Sequence, residues 1–294
     1  MPAAKKTRSF ASVRTCASTG ERQFSVNDVR MLLGVANERD LPDTQVTFAG
    51  RLLRPGEYLV RAGEAFEALF VVNSGCLKTV FTDPGGNEQV LGFPARGELI
   101  GTDGFDQAHH VNDVVALSDA QLVVVPYEQL RSLSVRHPEL LTDLLRVVSH
   151  QLVEEQLALT ASAALGVEAR VARFLLKIST QMAGQGYSAS CFNLRMRRQD
   201  MGNYLGMQLE TVSRTLSQLA RHKLITVKQR EITILDFSRL RDLARNGSKP
   251  DDRRIAHRTS SQGVSRSSCR VVAGKRAMPQ ATPWSPLIDR ASDS

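Results

Sequence analysis

Hydrophobic and polar positions follow two different rhythms on either side of Pro138. Between about residues 45 and 127, short apolar-rich runs recur at 45–48, 58–61, 69–72, 77–81, 89–93, 111–117 and 121–126. Turn formers separate them: Arg54-Pro55-Gly56-Glu57, Asn73-Ser74-Gly75 and Asp83-Pro84-Gly85-Gly86-Asn87. Many short strands with such punctuation predict an antiparallel barrel or sandwich. After Pro138 the period lengthens. Residues 139–164 contain no Gly or Pro, and Leu141, Leu145, Val148, Leu152 and Leu159 form a heptad seam with one polar interruption, Glu155. That seam suits packing on the barrel or on a second subunit. If it is a dimer axis, two Glu155 carboxylates oppose each other; if the seam is rotated, Glu155 is solvated. Gly166 marks a break before an amphipathic helix over 167–182, followed by a strand-like segment at 191–196.

Residues 198–219, RQDMGNYLGMQLETVSRTLSQL, predict two short helices joined by a tight turn, the form of a helix-turn-helix DNA reader. Glu210, Ser213 and Arg214 stand at i, i+3 and i+4 and so share a face. Glu can accept from the exocyclic amine of cytosine, and Arg can make a bidentate contact with guanine. Val212, Leu216 and Leu219 form an apolar stripe that must be buried. Gly206 stands where the first helix must stop in a left-handed conformation. Strands at 224–227 and 232–235 predict a hairpin closing over Lys228-Gln229-Arg230-Glu231, either a wing or an ordinary solvated hairpin. Lys228 and Arg230 suit phosphate contacts, and Gln208, Thr211 and Arg198 complete the candidate DNA-facing set.

The stretch D-x-G-N-Y-L-G at Asp200 to Gly206, with E-T-V-S-R at Glu210 to Arg214, resembles the CRP/FNR family of bacterial transcription regulators. The likeness is greatest to its oxygen-responsive fumarate-and-nitrate-reductase branch. Upstream, Ser74-Gly75, Gly85-Gly86-Asn87-Glu88-Gln89 and Gly97-Glu98-Leu99-Ile100-Gly101 resemble successive turns of the family's cyclic-nucleotide-type barrel. The resemblance covers about residues 35–245. It implies that Glu210, Ser213 and Arg214 read a TTGAT…ATCAA palindrome, and that residues 138–164 are a dimerisation helix with Leu141, Leu145, Val148, Leu152, Glu155 and Leu159 at the interface. The expected fold class is α+β. Residues 1–30 are expected to be a flexible extension, 31–137 a β-barrel (jelly roll) sensor domain, 165–245 a winged helix-turn-helix domain and 246–294 a disordered basic tail. The implied partners are double-stranded DNA, a second copy of the chain and RNA polymerase, with an effector small molecule left unidentified.

Charge placement agrees with DNA binding. Residues 31–194 hold 12 Lys/Arg against 19 acids, whereas 195–231 hold eight against three. Positive charge is concentrated at the reading motif, as phosphate contact requires. No apolar run approaches the roughly 20 residues of a membrane span, and the basic N-terminus lacks a secretory apolar core. With four scattered cysteines, a reducing cytoplasm is expected.

Candidate cofactors fare poorly. Members of the oxygen-sensing branch hold a four-iron cluster on four cysteines, three of them near the N-terminus. Here Cys16, Cys76, Cys191 and Cys269 are far apart, and residues 120–125 lack the barrel cysteine, so no cluster of that type is expected. Cys76 reads as a small buried hydrophobe. Cys191, just before Arg195, reads as a buried structural cysteine or as an oxidisable thiol. Nucleotide-binding members follow Gly-Glu-Leu with an Arg-Ser or Arg-Thr pair. Residues 100–112 contain no Arg, and their acids would repel a phosphate, so cyclic AMP is disfavoured, with Arg96 and Arg131 as remote alternatives. Adjacent His109 and His110 would point to opposite faces of a strand and are assigned a loop or surface role rather than a metal. No nucleophile–base motif, zinc spacing or phosphate-cradling glycine loop is present, so no enzyme is expected. The expectation is a homodimeric, sequence-specific transcription regulator, an activator by resemblance. A rival class is a ligand-binding or signalling module whose winged helix mainly mediates protein contacts.

Overall fold

The computed structural model describes residues 22–35, 41 and 45–246. In chain order the elements are β1 (Gln23–Ser25), α1 (Val26–Leu32), β2 (Thr47–Leu53), β3 (Tyr58–Val60), β4 (Ala68–Ser74), β5 (Leu77–Thr82), β6 (Glu88–Gly92), β7 (Leu99–Ile100), α2 (Gly104–Gln107), β8 (Asp113–Ala116) and β9 (Ala120–Pro126). There follow α3 (Tyr127–Arg136), α4 (Glu139–Ala164), α5 (Val167–Gly184), β10 (Cys191–Asn193), α6 (Arg198–Leu205), α7 (Leu209–Arg221), β11 (Ile225–Lys228), β12 (Glu231–Ile234) and α8 (Phe237–Asn246).

The barrel consists of a five-stranded sheet, β1-β2-β9-β4-β7, and a four-stranded sheet, β3-β8-β5-β6, all pairs antiparallel. The alternation of β4 explains why both of its faces are apolar. Phe70 and Val72 point between the sheets with Leu59, Leu77, Val114 and Leu122. Leu69 and Val71 point outward, where α1, α3 and α4 cover them. Burying each such side chain is worth about 1.5–3 kcal/mol. The predicted strands stand within a few residues of those observed, except that β2 continues to Leu53.

The flexible reading of residues 1–30 needs correction over its described part. Residues 23–32 form β1 and α1. Ser25 caps α1 reciprocally: its Oγ accepts from the Asp28 amide at 3.1 Å, and its own amide donates to Asp28 Oδ2 at 2.8 Å. Arg30 is buried and its Nε donates to Asp143 Oδ2 on α4 at 2.8 Å. Residues 1–21 and 247–294, including the expected basic tail, Cys16 and Cys269, lie outside the described residues. Helices α2, α3 and α8 are further additions to the expected plan. In α3, Leu133 is buried and Leu130 packs beside it on the barrel. In α8, Leu240, Leu243 and Ala244 enter the C-terminal core.

Helix α4 has the expected bounds. Its inner side packs on the barrel through Leu140 and Val147, and Gln151 Nε2 donates to the Leu99 carbonyl at 2.9 Å. Beyond it, α5, α6, α7 and α8 surround the small sheet β10-β12-β11. No helix among the described residues is long and apolar enough to cross a membrane.

Candidate nucleic-acid interface

Two glycines shape the junction between α6 and α7. Gly206 adopts φ +63°, the left-handed conformation that ends α6. At Gly202 a Cβ would meet the Met207 carbonyl oxygen at 2.7 Å, so only glycine lets the turn close against the helix. Arg170 Nη1 donates to the Leu205 carbonyl at 2.8 Å and satisfies the end of α6. Helix α7 then buries Val212, Thr215, Leu216 and Leu219, while Glu210, Ser213 and Arg214 are exposed together. Thr215 and Ser217 return their hydroxyls to the Thr211 and Ser213 carbonyls, at 2.8 and 3.0 Å. Among the described residues, neither Glu210 nor Arg214 is held in an ion pair. Gln208 is exposed at the start of α7, and Thr211 is half-buried.

The hairpin is tighter than expected. Lys228 pairs with Glu231, so the turn has only Gln229 and Arg230, with Gln229 at φ +55°. Lys228 and Arg230 are exposed there. Arg198 is half-buried and donates Nη2 to the Gln229 carbonyl at 3.1 Å, tying α6 to the hairpin. Desolvation holds its guanidinium below the usual arginine pKa. Arg197, Arg198 and Arg230 line a cleft of about 160 Å³ walled by Met196 and Met201. The predicted strand at 191–196 stops at Asn193, although Leu194 and Met196 remain buried.

On α4, Leu141, Leu145, Leu152 and Leu159 are exposed, as is Glu155. Val148 departs from this seam and packs half-buried toward the barrel. The heptad reading overlooks Val153 and Leu157, which are also exposed; a 3.6-residue period puts them outside the leucine stripe.

The barrel segment that bears on cofactors is tied into the protein's own structure. Asp103 accepts from the Val111 amide at 2.8 Å and the Asn112 amide at 3.1 Å, and its Oδ1 stands 3.3 Å from His110 Nδ1. Burial alone would raise the Asp103 carboxyl, but these hydrogen bonds outweigh it and hold it below the ordinary value. His110 is buried rather than at the surface; His109 is exposed. Phe66 fills the space beside Gly104, where a Cβ would come within 2.5 Å of its ring, and packs edge-on against Phe105 and tilted against Tyr127. Glu98, of the Gly97-Glu98-Leu99 turn, accepts from Gln181 Nε2 of α5 at 2.8 Å. Burial pushes its carboxyl above the usual range, against the opposing pull of Lys177 and that hydrogen bond. Cys76 is buried and its thiol is pushed up to about 12 by burial, with Glu98 adding to the shift. Cys191 is exposed, which corrects the buried structural reading. Among the described residues, no group of three or more His, Cys, Asp or Glu is placed to hold a metal ion.

Two family models match this architecture: a cyclic nucleotide-binding domain over residues 51–137 and a Crp-like helix-turn-helix domain over 169–243. The transcriptional activator protein Anr of Pseudomonas protegens is 35% identical over 200 residues, which span 68% of this chain and 82% of that protein. The chain belongs to the CRP/FNR family of transcription regulators. The fumarate and nitrate reduction regulatory protein of Vibrio cholerae is 31% identical over 247 residues, 83% of this chain and 95% of that protein. Among solved structures, FixK2 of Bradyrhizobium japonicum superposes with a TM-score of 0.61 at 25% identity, covering 67% of this chain and 98% of that one. A CRP/FNR regulator from Thermus thermophilus shares the fold, with a TM-score of 0.56 at 21% identity, covering 68% of this chain and 100% of that one. The protein is thus a DNA-binding transcription regulator, and its family is one of regulators rather than enzymes.

Proposed function

We propose that the protein acts in the cytoplasm as a homodimer that reads a TTGAT…ATCAA-like palindrome and activates transcription through contact with RNA polymerase. The observation that carries this reading is the division of α7: Val212, Leu216 and Leu219 are fully buried, while Glu210, Ser213 and Arg214 stand exposed together. Gln208 and Thr211 flank that face, and Lys228 and Arg230 supply phosphate contacts beside it. Arg198 supports the wing as much as it faces DNA. Exposed Leu141, Leu145, Leu152 and Leu159 support α4 as the dimer helix, with Glu155 at its margin. The name of the Pseudomonas relative, a transcriptional activator protein, supports activation.

Within this reading, the barrel carries neither the family's iron–sulfur cluster nor cyclic AMP. Cys76 is a buried neutral thiol, and Cys191 lies on β10 of the DNA-binding domain, which is no ligand set for a cluster. The segment that would grip a phosphate presents Asp103 and a phenylalanine-packed helix instead of an arginine. The test is fluorescence anisotropy on the palindrome, a half-site and a scrambled duplex at increasing salt. Preference for the palindrome with steep salt weakening is expected. Equal, salt-insensitive binding to all three would support a protein-contact role for the winged helix.

A further inference from the structure

Strand β6 lies at the outer edge of its sheet, with β5 on its other side. An edge strand presents backbone donors and acceptors that have no strand to pair with. Here a single side chain takes the place of that strand. Asn203 Oδ1, on α6, accepts from the Val90 amide at 2.8 Å, and Asn203 Nδ2 donates to the Glu88 carbonyl at 2.7 Å. Gln89 Nε2 completes the exchange by donating to the Asn203 carbonyl at 2.8 Å. One turn earlier on α6, Asp200 Oδ1 pairs with Lys78 Nζ of β5 at 2.9 Å, with both side chains mostly shielded. Its other oxygen accepts from the Arg197 amide at 3.1 Å, so one carboxylate both caps α6 and anchors it. Behind these polar contacts, the rings of Phe93, Phe174 and Tyr204 stand 5.4–5.8 Å apart, and Val80 and Val90 join the core of the DNA-binding domain.

None of these groups belongs to the reading face. We propose that the β5–β6 hairpin is the output element of the barrel, and that Asn203 and Lys78 are positioning residues that fix α7 relative to the dimer helix by docking α6 on that hairpin. The docked arrangement leaves Glu210, Ser213 and Arg214 exposed, and in this proposal it is the DNA-competent one. Two recognition helices reach successive major grooves only when their separation is held near one helical turn. Besides the direct chain link from α4 through Gly166 to α5, a path from α4 to α7 runs through the barrel and this dock. A signal that shifts the hairpin by a fraction of the length of these hydrogen bonds would release α6 and change the separation, without touching any DNA-facing residue.

The proposal rests on the palindrome reading above, and the experiment separates the two. Wild type, Asn203→Ala, Asn203→Asp and Lys78→Met are compared on the palindrome and the half-site, with amide hydrogen exchange at Val90 followed in each. Asn203→Ala should lower palindrome affinity ~10-fold, the equivalent of about 1.4 kcal/mol, leave half-site affinity unchanged, and speed exchange at Val90. Asn203→Asp keeps the acceptor for Val90 but loses the donor to Glu88, so it should fall between wild type and Asn203→Ala on both readouts. Lys78→Met lies in the barrel and leaves the Asp200 cap on the Arg197 amide in place; it should lower palindrome affinity in the same direction. If wild type itself does not prefer the palindrome, the base-reading proposal fails, and Val90 exchange alone then judges the dock. Unchanged Val90 exchange in Asn203→Ala overturns the dock. So does equal loss on palindrome and half-site, or tighter palindrome binding by either docking variant.

Discussion

Helices α4 and α7 are both amphipathic, yet they dispose of their apolar sides in opposite ways. The stripe of α7 is covered entirely by its own domain, and the side left to solvent is polar: Glu210, Ser213 and Arg214. The inner side of α4 is covered by the barrel, and the side left to solvent is again apolar, with Leu141, Leu145, Leu152 and Leu159 each about half or more exposed. An exposed polar face at hydrogen-bonding spacing suits a polar ligand such as a base edge. An exposed apolar stripe suits a second apolar stripe. The difference teaches that amphipathicity alone does not assign a helix its role; what covers each face does.

The sharpest way to break this comparison is to truncate one leucine from each helix. Leu216→Ala should destabilise the folded chain by about 2–5 kcal/mol, read by chemical denaturation. Leu152→Ala should leave protomer stability within about 0.5 kcal/mol while shifting sedimentation equilibrium toward monomer. Equal stability losses would mean that α4 is already covered within the protomer. On the reading face, Arg214→Ala should cost roughly 1–3 kcal/mol on the cognate duplex and relax discrimination at one base pair. Lys228→Ala should weaken all duplexes alike and reduce the salt slope by about 1. A uniform loss in Arg214→Ala would move Arg214 from base contact to phosphate contact.

A smaller effect is expected at Glu155, which borders the exposed stripe of α4. Removing its charge should raise the dimer fraction and palindrome affinity but not half-site affinity. A weaker dimer in Glu155→Ala would show that the carboxylate supports the interface. The smallest effect belongs to Glu98, between α4 and the DNA-binding domain, facing Lys177 and Gln181 of α5 and Glu154 of α4. Because burial raises its pKa, the folded chain holds this proton more tightly than the unfolded chain does. Its contribution to stability is therefore complete below the ordinary carboxylate pKa and fades as pH rises through the raised value. Glu98→Gln keeps an acceptor for Gln181 and should flatten that slope, measured as denaturation midpoint against pH.

What can be read from sequence is local. Gly206, the polar triad and the apolar stripe of α7 lie within a single helix-turn-helix, so their spacing alone places them. The bounds of α4 are equally plain, because no Gly or Pro interrupts it. What cannot be read is pairing across long separations. Nothing local in the sequence marks Arg30 for burial against Asp143, 113 residues away. Asn203 belongs to a motif quoted for its likeness to a family, yet its partners on β6 stand more than 110 residues earlier. Val148 obeys the heptad, but the barrel beneath it claims its side chain. His110 looks like a loop residue until Phe66 and Asp103 enclose it. The hairpin turn reads as four residues because Lys228 and Glu231 are polar, although they pair across the strands.

The ion pair between Arg30 and Asp143 also orders events on the ribosome. The capping box of α1 is local and can form as soon as Asp28 emerges, but a seven-residue helix is not stable alone in water. Its anchoring partner is made 113 residues later, which at typical synthesis rates is a delay of roughly 6–23 s. Strand β2, which β1 pairs with, likewise waits for β9. The first described helix is therefore seated only after the barrel strands have been made, and until α4 emerges its apolar side is available to chaperones.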